Sequence, residues 1–351
     1  MKKLTIAVLF GGCSNEYEVS LISAASVIEH LEADKYELVL VGITREGEWL
    51  RYSGPAADIR DDQWHRHSSC IPSFLSPSRS VRGLVELVNT EYHIKPIDVV
   101  FPVMHGMHGE DGTVQGLIEL SGIPYVGCDM LSSAICMDKE IAHTLVEASG
   151  VNTPRSVTLY REDHGQASLH TLQALKYPVY VKPAKSGSSV GITKAHDRSQ
   201  LMRGIELAYE HDHKVVIEEE VEGFEVGCAV LGHRNPMIGV IDEIELTGDF
   251  FDFTEKYSLR SSKIHLPARV DAYTADRIKE TAGLIYKTLG CKGFARVDMF
   301  VTPDGGLVFN EVNTIPGFTA NSRYPKMLQA SGYTYPEILD QLIQLALVEE
   351  S

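Results

Sequence analysis

The sequence predicts an α/β protein of several domains, on three observations. The chain opens on a hydrophobic strand candidate, residues 4–10, followed by a glycine pair and a helix whose apolar side chains recur about every three residues from Val19 to Leu31. A strand, a glycine-rich turn, a helix and a strand in succession are typical of a parallel α/β domain. The second half offers four strand candidates in a row, which indicates a mostly antiparallel sheet. At 351 residues the chain exceeds what one hydrophobic core usually supports, so two or three domains are expected.

The first strand has to be distinguished from an export signal, because "MKKLTIAVLFGGC" could also be a short signal sequence or a lipoprotein cleavage site. Only seven apolar residues follow the lysines, at the low edge for a signal core, and they favour β-structure. We therefore predict a buried strand, and further strands at "YELVLVGI", "IDVVFPVMH" and "GIPYVG". Ligands of such sheets bind at the carboxyl ends of strands, so the loops after Phe10 and Val103 are candidate site loops. Residues 64–88 are predicted to form a loop, with residues 64–69 on the surface.

Composition excludes several classes of protein. Hydrophobic residues make up 44% and charged residues 23%, which is ordinary for a globular chain. No run approaches 18 apolar residues, so no membrane span is expected. A net charge of −16 argues against a general nucleic-acid binder, which needs a basic face. The six cysteines are scattered without a Cys-x-x-Cys pair, as expected of buried thiols in a reducing cytoplasm.

The second half carries the elements that frame a candidate site. "ICMDKEIAHTLVEASG" predicts a helix that ends at Gly150, a C-cap residue. Strands are predicted at "YPVYVK" and "HKVVIEEEV", and then at the four candidates "EVGCAVLG", "MIGVIDEIEL", "ARVDMFVT" and "GLVFNEVN". Residues 248–268 are too long and polar for a turn, and loops of that length are more often functional lids than structural connectors.

Two acids and an amide mark a candidate metal site. Strand alternation places Glu311 and Asn313 on one face, and the short turn "TPDGG" brings that face opposite Asp298. Two carboxylates and an amide oxygen suit a hard cation such as Mg²⁺. A polar sheet edge would not account for Arg296, which shares the face of Asp298. Metal, carboxylates and a cation together are what phosphoryl transfer needs.

Other polar residues could hold a nucleotide. Lysines and a Gly/Ser-rich loop at residues 187–191 supply donors for an anionic ligand, although "GSSVG" alone could be a simple turn. The acids that follow the strand "HKVVI" could accept from ribose hydroxyls or an adenine amino group, although such a run is usually a solvated face. The lysines are Lys139, Lys182 and Lys185, and the acids are Glu218, Glu219 and Glu225.

Several motifs, in order, resemble those of one family. The motifs are "HGMHGEDGTVQG", "GCDMLSSAICMDK", "VKPAKSGSSVGI", "EKY", "RVDMF" and "NEVNTIPGFT". Together they resemble the ATP-grasp D-alanine–D-alanine ligases from residue 8 to residue 325. Within that family the chain is most similar to the glycopeptide-resistance ligases, which make D-alanine–D-serine or D-alanine–D-lactate.

The resemblance implies three domains and a reaction. The domains are a Rossmann-like N-terminal domain (1–126), a central ATP-grasp subdomain (127–218) and a C-terminal ATP-grasp subdomain (219–351) with the metal site and the lid 248–268. ATP phosphorylates the carboxylate of D-alanine, and a second D-amino acid attacks the acyl phosphate. The implied cofactors are ATP and two Mg²⁺ ions, for which Mn²⁺ can substitute. The implied assembly is a cytoplasmic homodimer through the N-terminal domain, with no nucleic-acid or membrane partner.

The resemblance also implies residue roles. Glu16 would bind the ammonium of the first D-alanine and close a hydrogen-bonded triad with Ser188 and Tyr257. Arg296 and the Gly317 N–H would stabilise the tetrahedral oxyanion. The residues beside the substrates would be His105, Phe251, Lys256, Ser322 and Arg323. Those that hold the nucleotide would be Lys139, Lys182, Ser188, Glu218, Glu219, Val221, Glu225 and Lys256, with Glu219 as a backbone contact only. The metal ligands would be Asp298, Glu311 and Asn313.

Two lid and pocket positions refine the expected product. The lid carries Tyr257, whereas ester-forming ligases of this family typically carry a histidine in the lid as a cation. Tyr257 therefore predicts a peptide rather than an ester product, and His265 is an alternative lid cation. Arg323 follows Ser322, where housekeeping ligases commonly carry an aliphatic residue, and with Phe251 as a second wall it could satisfy the hydroxyl of D-serine. Because Arg323 also occurs in lactate-type relatives, it marks the resistance group, and the lid with Tyr257 narrows the expected acceptor to D-serine. In the alternative, Arg323 is a surface residue that pairs with Asp252 or Glu255.

Other functions remain open at the level of the sequence. They are a housekeeping D-alanine–D-alanine ligase, a D-alanine–D-lactate ligase, another ATP-grasp carboxylate–amine ligase, and a regulatory protein that lost catalysis. The last is disfavoured because all four residues of the candidate metal face are present. A zinc site formed by His105 and His108 would lack a third ligand.

Overall fold

The computed structural model describes residues 2–162, 172–187, 190–246 and 262–348. The helices in these ranges are α1 (Tyr17–His30), α2 (Ala56–Arg60), α3 (Thr113–Ser121), α4 (Met130–Met137), α5 (Lys139–Ala148), α6 (Arg198–Tyr209), α7 (Ala272–Thr288), α8 (Arg323–Ala330) and α9 (Tyr335–Leu347). The strands are β1 (Leu4–Gly11), β2 (Tyr36–Ile43), β3 (Trp49–Tyr52), β4 (Ile71–Leu75), β5 (Gly83–Val88), β6 (Glu91–Pro96), β7 (Val99–Val103), β8 (Ser156–Tyr160), β9 (Val179–Pro183), β10 (Thr193–Ala195), β11 (Lys214–Glu219), β12 (Phe224–Leu231), β13 (Met237–Ile238), β14 (Asp242–Leu246), β15 (Ser262–His265), β16 (Phe294–Val301) and β17 (Leu307–Asn313).

The first sheet has seven strands in the order β6-β5-β4-β3-β2-β1-β7. The apolar strand β1 pairs in parallel with β2 and β7, and the remaining pairs are antiparallel. The prediction of a buried first strand within a parallel α/β arrangement is therefore confirmed. The strand predicted at "GIPYVG" is wrong, since Tyr125 forms only an isolated bridge with Val100. Pro124 lacks the N–H that a ladder needs.

The loop predicted for residues 64–88 is also wrong. It contains a short 3₁₀ helix, Trp64–Arg66, and the strands β4 and β5. Trp64 is fully buried and packs edge-on against Phe10, with ring centroids 5.0 Å apart. The neighbours of Trp64, such as His65 and Arg66, are polar, so the stretch is hydrophilic on average. For this reason the sequence pattern does not indicate that Trp64 is buried.

The central sheet has four strands in the order β10-β9-β11-β8. The single helix predicted to end at Gly150 is in fact two, because Asp138 ends α4 and caps α5 by accepting from the Ile141 N–H at 3.3 Å. Gly150 follows the last residues of α5 with φ 90°, as expected of a residue that terminates a helix. The helix α5 thereby carries Lys139 at its first turn, next to the strands of this sheet.

The third sheet is antiparallel, as predicted, in the order β15-β14-β12-β16-β17, with β13 paired to β12. One hydrophobic core connects the third sheet to the first sheet. In this core, α1 and β7 pack with α9, Phe294 and Phe318. This packing brings the segment after β17 against the loop after β7. Among the described helices, none has both the length and the apolar character to cross a membrane.

Candidate active site

The end of the β16–β17 hairpin gathers the predicted acid cluster. Asp298 pairs with Glu311 and Arg296 with Asn313 in the register of the two strands, so these four side chains share one face. Asp298 is 1% exposed, and both of its oxygens accept from Arg296 Nε, at 2.9 and 3.0 Å. The Arg296 Nη2 adds a bond of 2.7 Å, and the amide nitrogen of Asn313 donates to Asp298 at 3.0 Å. Strand alternation and a short turn are sufficient to produce this arrangement.

Arg323 lies inside this cluster rather than on the surface. Its side chain is 11% exposed, and its Nε and Nη2 each donate to Asp242 at 2.8 Å. Its guanidinium also lies 3.5 Å from Glu225 and 3.5 Å from Asp298. Burial opposes the charged form, but Asp242 and Asp298 hold the pKa of Arg323 well above its usual value. The surface interpretation of Arg323 is therefore wrong; the lid acids Asp252 and Glu255 lie outside the described residues.

The donor set fits a nucleotide-bound Mg²⁺ ion better than a zinc ion. Asp298, Glu311 and Asn313 offer hard oxygen ligands, and Mg²⁺ in proteins typically uses one or two carboxylates together with phosphate oxygens and water. Across the described ranges, no group of three or more His, Cys, Asp or Glu side chains is arranged to hold a metal by itself. The two histidines of the zinc alternative diverge: His105 is buried, whereas His108 lies 3.8 Å from Asp111 on an exposed loop.

The predicted nucleotide lysines lie where α5, β9 and β11 meet. Lys139 Nζ donates to the Ser186 carbonyl at 2.7 Å, and Lys182 forms a 2.5 Å ion pair with Glu218. Burial disfavours the Glu218 carboxylate, yet the charge of Lys182 holds its pKa below the usual value.

His143, which the sequence did not single out, lies against this ion pair. Its Nε2 donates to the Asn310 carbonyl at 3.0 Å, while its Nδ1 is 4.0 Å from Glu218 Oε1. His143 Nδ1 and Glu218 Oε1 are both buried and have no hydrogen-bond partner among the described residues. The nucleotide side of the site therefore holds two unsatisfied acceptors next to a buried lysine.

The remaining nucleotide candidates lie along β11 and β12. Glu219 accepts from the Lys176 N–H at 3.0 Å, and its own N–H donates to the Arg155 carbonyl at 2.9 Å. Val221 follows β11, and Glu225 lies on β12 opposite Phe300. Glu219, Val221 and Glu225 thus lie within seven residues of one another, at the end of β11 and the start of β12.

Glu16 lies between two glycine loops. A Cβ atom on Gly106 would come within 2.4 Å of the Glu16 carboxylate, and one on Gly187 within 2.6 Å. No side chain could be placed at either glycine without displacing Glu16. The close approach brings the loop after β7 and the Gly/Ser-rich loop to the start of α1. The triad partner Ser188 directly follows Gly187 but lies outside the described residues.

The segment 315–318 lies against the loop after β7. His105 Nδ1 is 2.8 Å from the Ile315 carbonyl oxygen, and its Nε2 is 3.2 Å from Ser23 Oγ. Burial lowers the pKa of His105, against opposing contributions from Glu16 and Ile315. At the end of this segment Gly317 lies beside Ser322, whose Oγ accepts from the Thr319 N–H at 3.0 Å.

Sequence reasoning missed four residues that hold the site together: Ser23, Glu110, His143 and Asp242. Glu110 stands inside the quoted "HGMHGEDG" motif, so a signal existed but no role was assigned. Ser23 lies on the same face of α1 as Ser20 and Ser26, a polar stripe that could have been noticed. Asp242 and His143 gave no signal, because their partners are 81 and 75 residues away in the chain.

Part of the predicted site falls on the lid. Phe251, Lys256 and Tyr257 lie outside the described residues, as does most of 248–268. His265, the alternative lid cation, is described: it lies in β15, and its Nε2 is 2.5 Å from Glu245 Oε2.

Comparison with known proteins places this geometry in a family. The family model described as "D-ala D-ala ligase N-terminus" matches residues 5–128, and "D-ala D-ala ligase C-terminus" matches residues 145–344. The D-alanine–D-alanine ligase of Caldicellulosiruptor bescii is 46% identical, over 99% of this chain and 96% of the relative. The vancomycin/teicoplanin A-type resistance protein VanA of Enterococcus faecium is 44% identical, over 99% of both chains.

A solved structure agrees with these relatives. The VanG D-Ala:D-Ser ligase from Enterococcus faecalis superposes with a TM-score of 0.92 and 52% identity, over 98% of this chain and 100% of that one. The ATP-grasp fold that the motifs implied is thus confirmed. With both family models matched and relatives similar along nearly the whole chain, the protein belongs to the D-alanine–D-alanine ligase family.

Proposed function

We propose that this chain is an ATP-dependent ligase that joins D-alanine to D-serine through a D-alanyl phosphate, for peptidoglycan precursors of the glycopeptide-resistance type. Membership of the family supports the coarser reaction, the ligation of D-alanine to a second D-residue. The observation that carries the choice of D-serine is the position of Arg323 inside the acid cluster. The similarity to VanG, whose name specifies D-alanine and D-serine, supports the same choice.

The residues of the site account for each step of the proposed reaction. Asp298, Glu311 and Asn313 would hold two Mg²⁺ or Mn²⁺ ions, and the metal–ATP complex supplies the phosphoryl group and neutralises its charge. Glu16 would bind the ammonium of D-alanine and so orient the carboxylate of that substrate, which would take up the γ-phosphoryl group with ADP as the leaving group. The amine of D-serine then attacks the acyl carbon, loses a proton and expels phosphate.

Arg296 is the group in the cluster best suited to the charge that develops in the second step. The tetrahedral oxyanion needs donors fixed in advance, and Arg296 is held in place by its fork on Asp298. The Gly317 N–H would be the second donor. The acyl phosphate hydrolyses in water, so we propose that the lid 248–268 covers it during turnover.

The buried Arg323 supports D-serine on energetic grounds. An aliphatic wall would leave the hydroxyl of D-serine unpaired, at a cost of roughly 1–3 kcal/mol. Arg323 and Asp242 instead form a fixed polar pair, with bonds of 2.8 Å, that could bond this hydroxyl directly or through a water molecule. Phe251 would form the second wall, and Ser322 with Lys256 would hold the acceptor carboxylate.

An acceptor panel tests the proposed function. The protein is incubated with ATP, Mg²⁺ and D-alanine together with D-serine or D-lactate, or with D-alanine alone, and products are identified by mass. We expect phosphate release that depends on D-alanine, D-alanyl-D-serine as the main product, and no ester near neutral pH. D-alanyl-D-alanine as the main product would indicate a housekeeping ligase. An ester product would refute the prediction that a lid with Tyr257 makes only peptides. Phosphate release without D-alanine would indicate a different carboxylate–amine ligase.

The role of Arg323 needs a charge-balanced test, because Arg323→Leu alone leaves Asp242 buried without its partner. We therefore compare Arg323→Leu with the double variant Arg323→Leu/Asp242→Asn, and use Lys326→Leu, an exposed residue on the same helix, as the control. The ratio of D-serine to D-alanine incorporation should fall about tenfold or more in both Arg323 variants, as 1.4 kcal/mol is a factor of ten. An unchanged ratio in the double variant would show that Arg323 does not set the preference.

A further inference from the structure

The peptide of Ile315, two residues before Gly317, is held by side chains on both of its polar groups. Its N–H donates to Glu110 Oε1 at 2.8 Å, and its carbonyl accepts from His105 Nδ1 at 2.8 Å. The other carboxylate oxygen of Glu110 accepts from the Gly106 N–H at 2.9 Å. The loop 105–110 is thus bonded to the segment 315–318 through His105 and Glu110, which both bond to the backbone of Ile315.

Ser23 holds the same histidine from the opposite side. Ser23 is fully buried on α1, and its Oγ lies 3.2 Å from His105 Nε2 and 3.3 Å from the Phe318 nitrogen. The Ile315 carbonyl can only accept, so Nδ1 carries the imidazole proton, and in the neutral ring Nε2 is then an acceptor. The Phe318 N–H can only donate, so the Ser23 oxygen accepts from it, and the Ser23 proton is available to donate to His105 Nε2. The contacts of Ser23 thus agree with the tautomer that the Ile315 carbonyl assigns.

We propose that Ser23, His105 and Glu110 form one positioning unit that fixes the segment 315–318, and with it the Gly317 N–H, while His105 is held as the neutral Nδ1–H tautomer. The proposal rests on the proposed function only in that Gly317 serves the ligase reaction. Since both ring nitrogens of His105 bond to protein groups, His105 acts as a strut and not as an acid or base. The lowered pKa of His105, caused by burial, is consistent with a neutral ring.

The neighbouring serines of α1 provide a matched comparison. Ser20 Oγ donates to the Val103 carbonyl, and Ser26 Oγ accepts from the Ala320 N–H at 3.3 Å. Ser26 thus resembles Ser23 in residue type, in helix and in bonding a loop N–H, but it does not contact His105. Ser26 Oγ also donates to Tyr335 Oη at 3.4 Å, so each serine has one partner besides its loop N–H. A larger loss of activity in the Ser23 variant than in the Ser26 variant would therefore be due to the contact with the histidine.

Two isosteric replacements of His105 separate a strut from an acid or base. In His105→Asn the amide nitrogen takes the place of Nδ1 and can still donate to the Ile315 carbonyl. In His105→Gln the amide reaches the place of Nε2 and leaves that carbonyl without its donor. We expect both variants to lose activity, with His105→Asn retaining at least tenfold more kcat at saturating ATP and D-amino acids. Equal or better activity of His105→Gln would overturn the proposal.

The serine pair supplies the second test. We expect Ser23→Ala to lower kcat about tenfold and Ser26→Ala less than twofold, with the KM for ATP within twofold of wild type in both. Equal effects on kcat in the two variants would overturn the role of Ser23.

A spectroscopic readout does not depend on catalysis. In ¹⁵N-histidine NMR spectra, the His105 signals are identified by their loss in His105→Asn, and we expect the wild type to show the Nδ1–H form. An Nε2–H form in the wild type would overturn the assignment, whatever the activity. If the wild type ligates no D-amino acids but shows the Nδ1–H form, the proposed function fails and the positioning unit stands.

Discussion

At the oxyanion end of the candidate site, residues 315–318 with His105 and Arg296, the protein itself holds the side chains and backbone groups that would act. At the nucleotide end, around Lys182 and Glu218, the lysine is paired with an acid, and two buried atoms, His143 Nδ1 and Glu218 Oε1, have no hydrogen-bond partner in the part of the chain that the structure describes. On the proposed function, one end is placed for its reaction without rearrangement, as electrostatic stabilisation of a transition state requires. We infer that the other end would exchange hydrogen-bond partners on binding a nucleotide.

The difference follows from what each end has to recognise. An oxyanion exists only during the reaction, so its donors must be placed beforehand. A nucleotide binds as a stable ligand and can supply the missing hydrogen bonds itself, for example by donating N–H groups to His143 Nδ1 and Glu218 Oε1, which lie 4.0 Å apart. The Lys182–Glu218 ion pair compensates the buried charge of Glu218.

The largest expected effect concerns the acid cluster at the preorganised end. Glu311→Gln removes one charge and preserves the shape of the side chain, and no rearrangement can replace that charge. We expect turnover to fall by a factor on the order of 10³ or more, since phosphoryl transfer depends on charge neutralisation. Asp304→Asn, on the exposed turn of the same hairpin, is the control and should retain turnover within about twofold. Near-normal phosphate release by Glu311→Gln would remove Glu311 from the metal site.

The next effect concerns the nucleotide end. Lys182→Met should weaken ATP binding roughly 10- to 100-fold, since a charged hydrogen bond contributes about 1.5–3 kcal/mol. It should also lower the free energy of unfolding by about 3–5 kcal/mol, because Glu218 is left buried without its partner. The double variant Lys182→Met/Glu218→Gln should regain stability but not ATP affinity.

Calorimetric titration with ATP and urea denaturation measure the two quantities separately. Lys287→Met, an exposed lysine on α7, is the control and should change neither by much. If the double variant also regained ATP affinity, Lys182 would serve only to neutralise Glu218, and the exchange of partners would not occur.

The most gradual effect is a pH dependence at the oxyanion end. Burial and the nearby Glu16 raise the pKa of Glu110 from 4.5 to about 8. Between these values the folded protein holds a proton that the unfolded chain releases, so the contribution of Glu110 to stability is lost as the pH rises from about 5 to 8. The slope is at most about 1.4 kcal/mol per pH unit. Glu110→Gln should lack this slope when the free energies of unfolding of both proteins are compared between pH 5 and 8; parallel curves would show that Glu110 is ionised throughout.

The local chemistry of the site could be predicted because it depends on short-range regularities. Alternation along β16 and β17 and a five-residue turn place Arg296, Asp298, Glu311 and Asn313 on one face, whatever surrounds the hairpin. The first strand was likewise predicted from its own apolar run. Both inferences use residues that are close in the chain.

Tertiary packing decided the rest. Ser23 meets Phe318 across 295 residues and His105 across 82, and Arg323 meets Asp242 across 81. No local pattern encodes such contacts, because they form only when α1 and the segment after β17 share one hydrophobic core. The same reason explains Trp64, a buried anchor among hydrophilic neighbours. The sequence by itself determined which residues carry the chemistry, whereas the packing of distant segments determined which residues hold them in place.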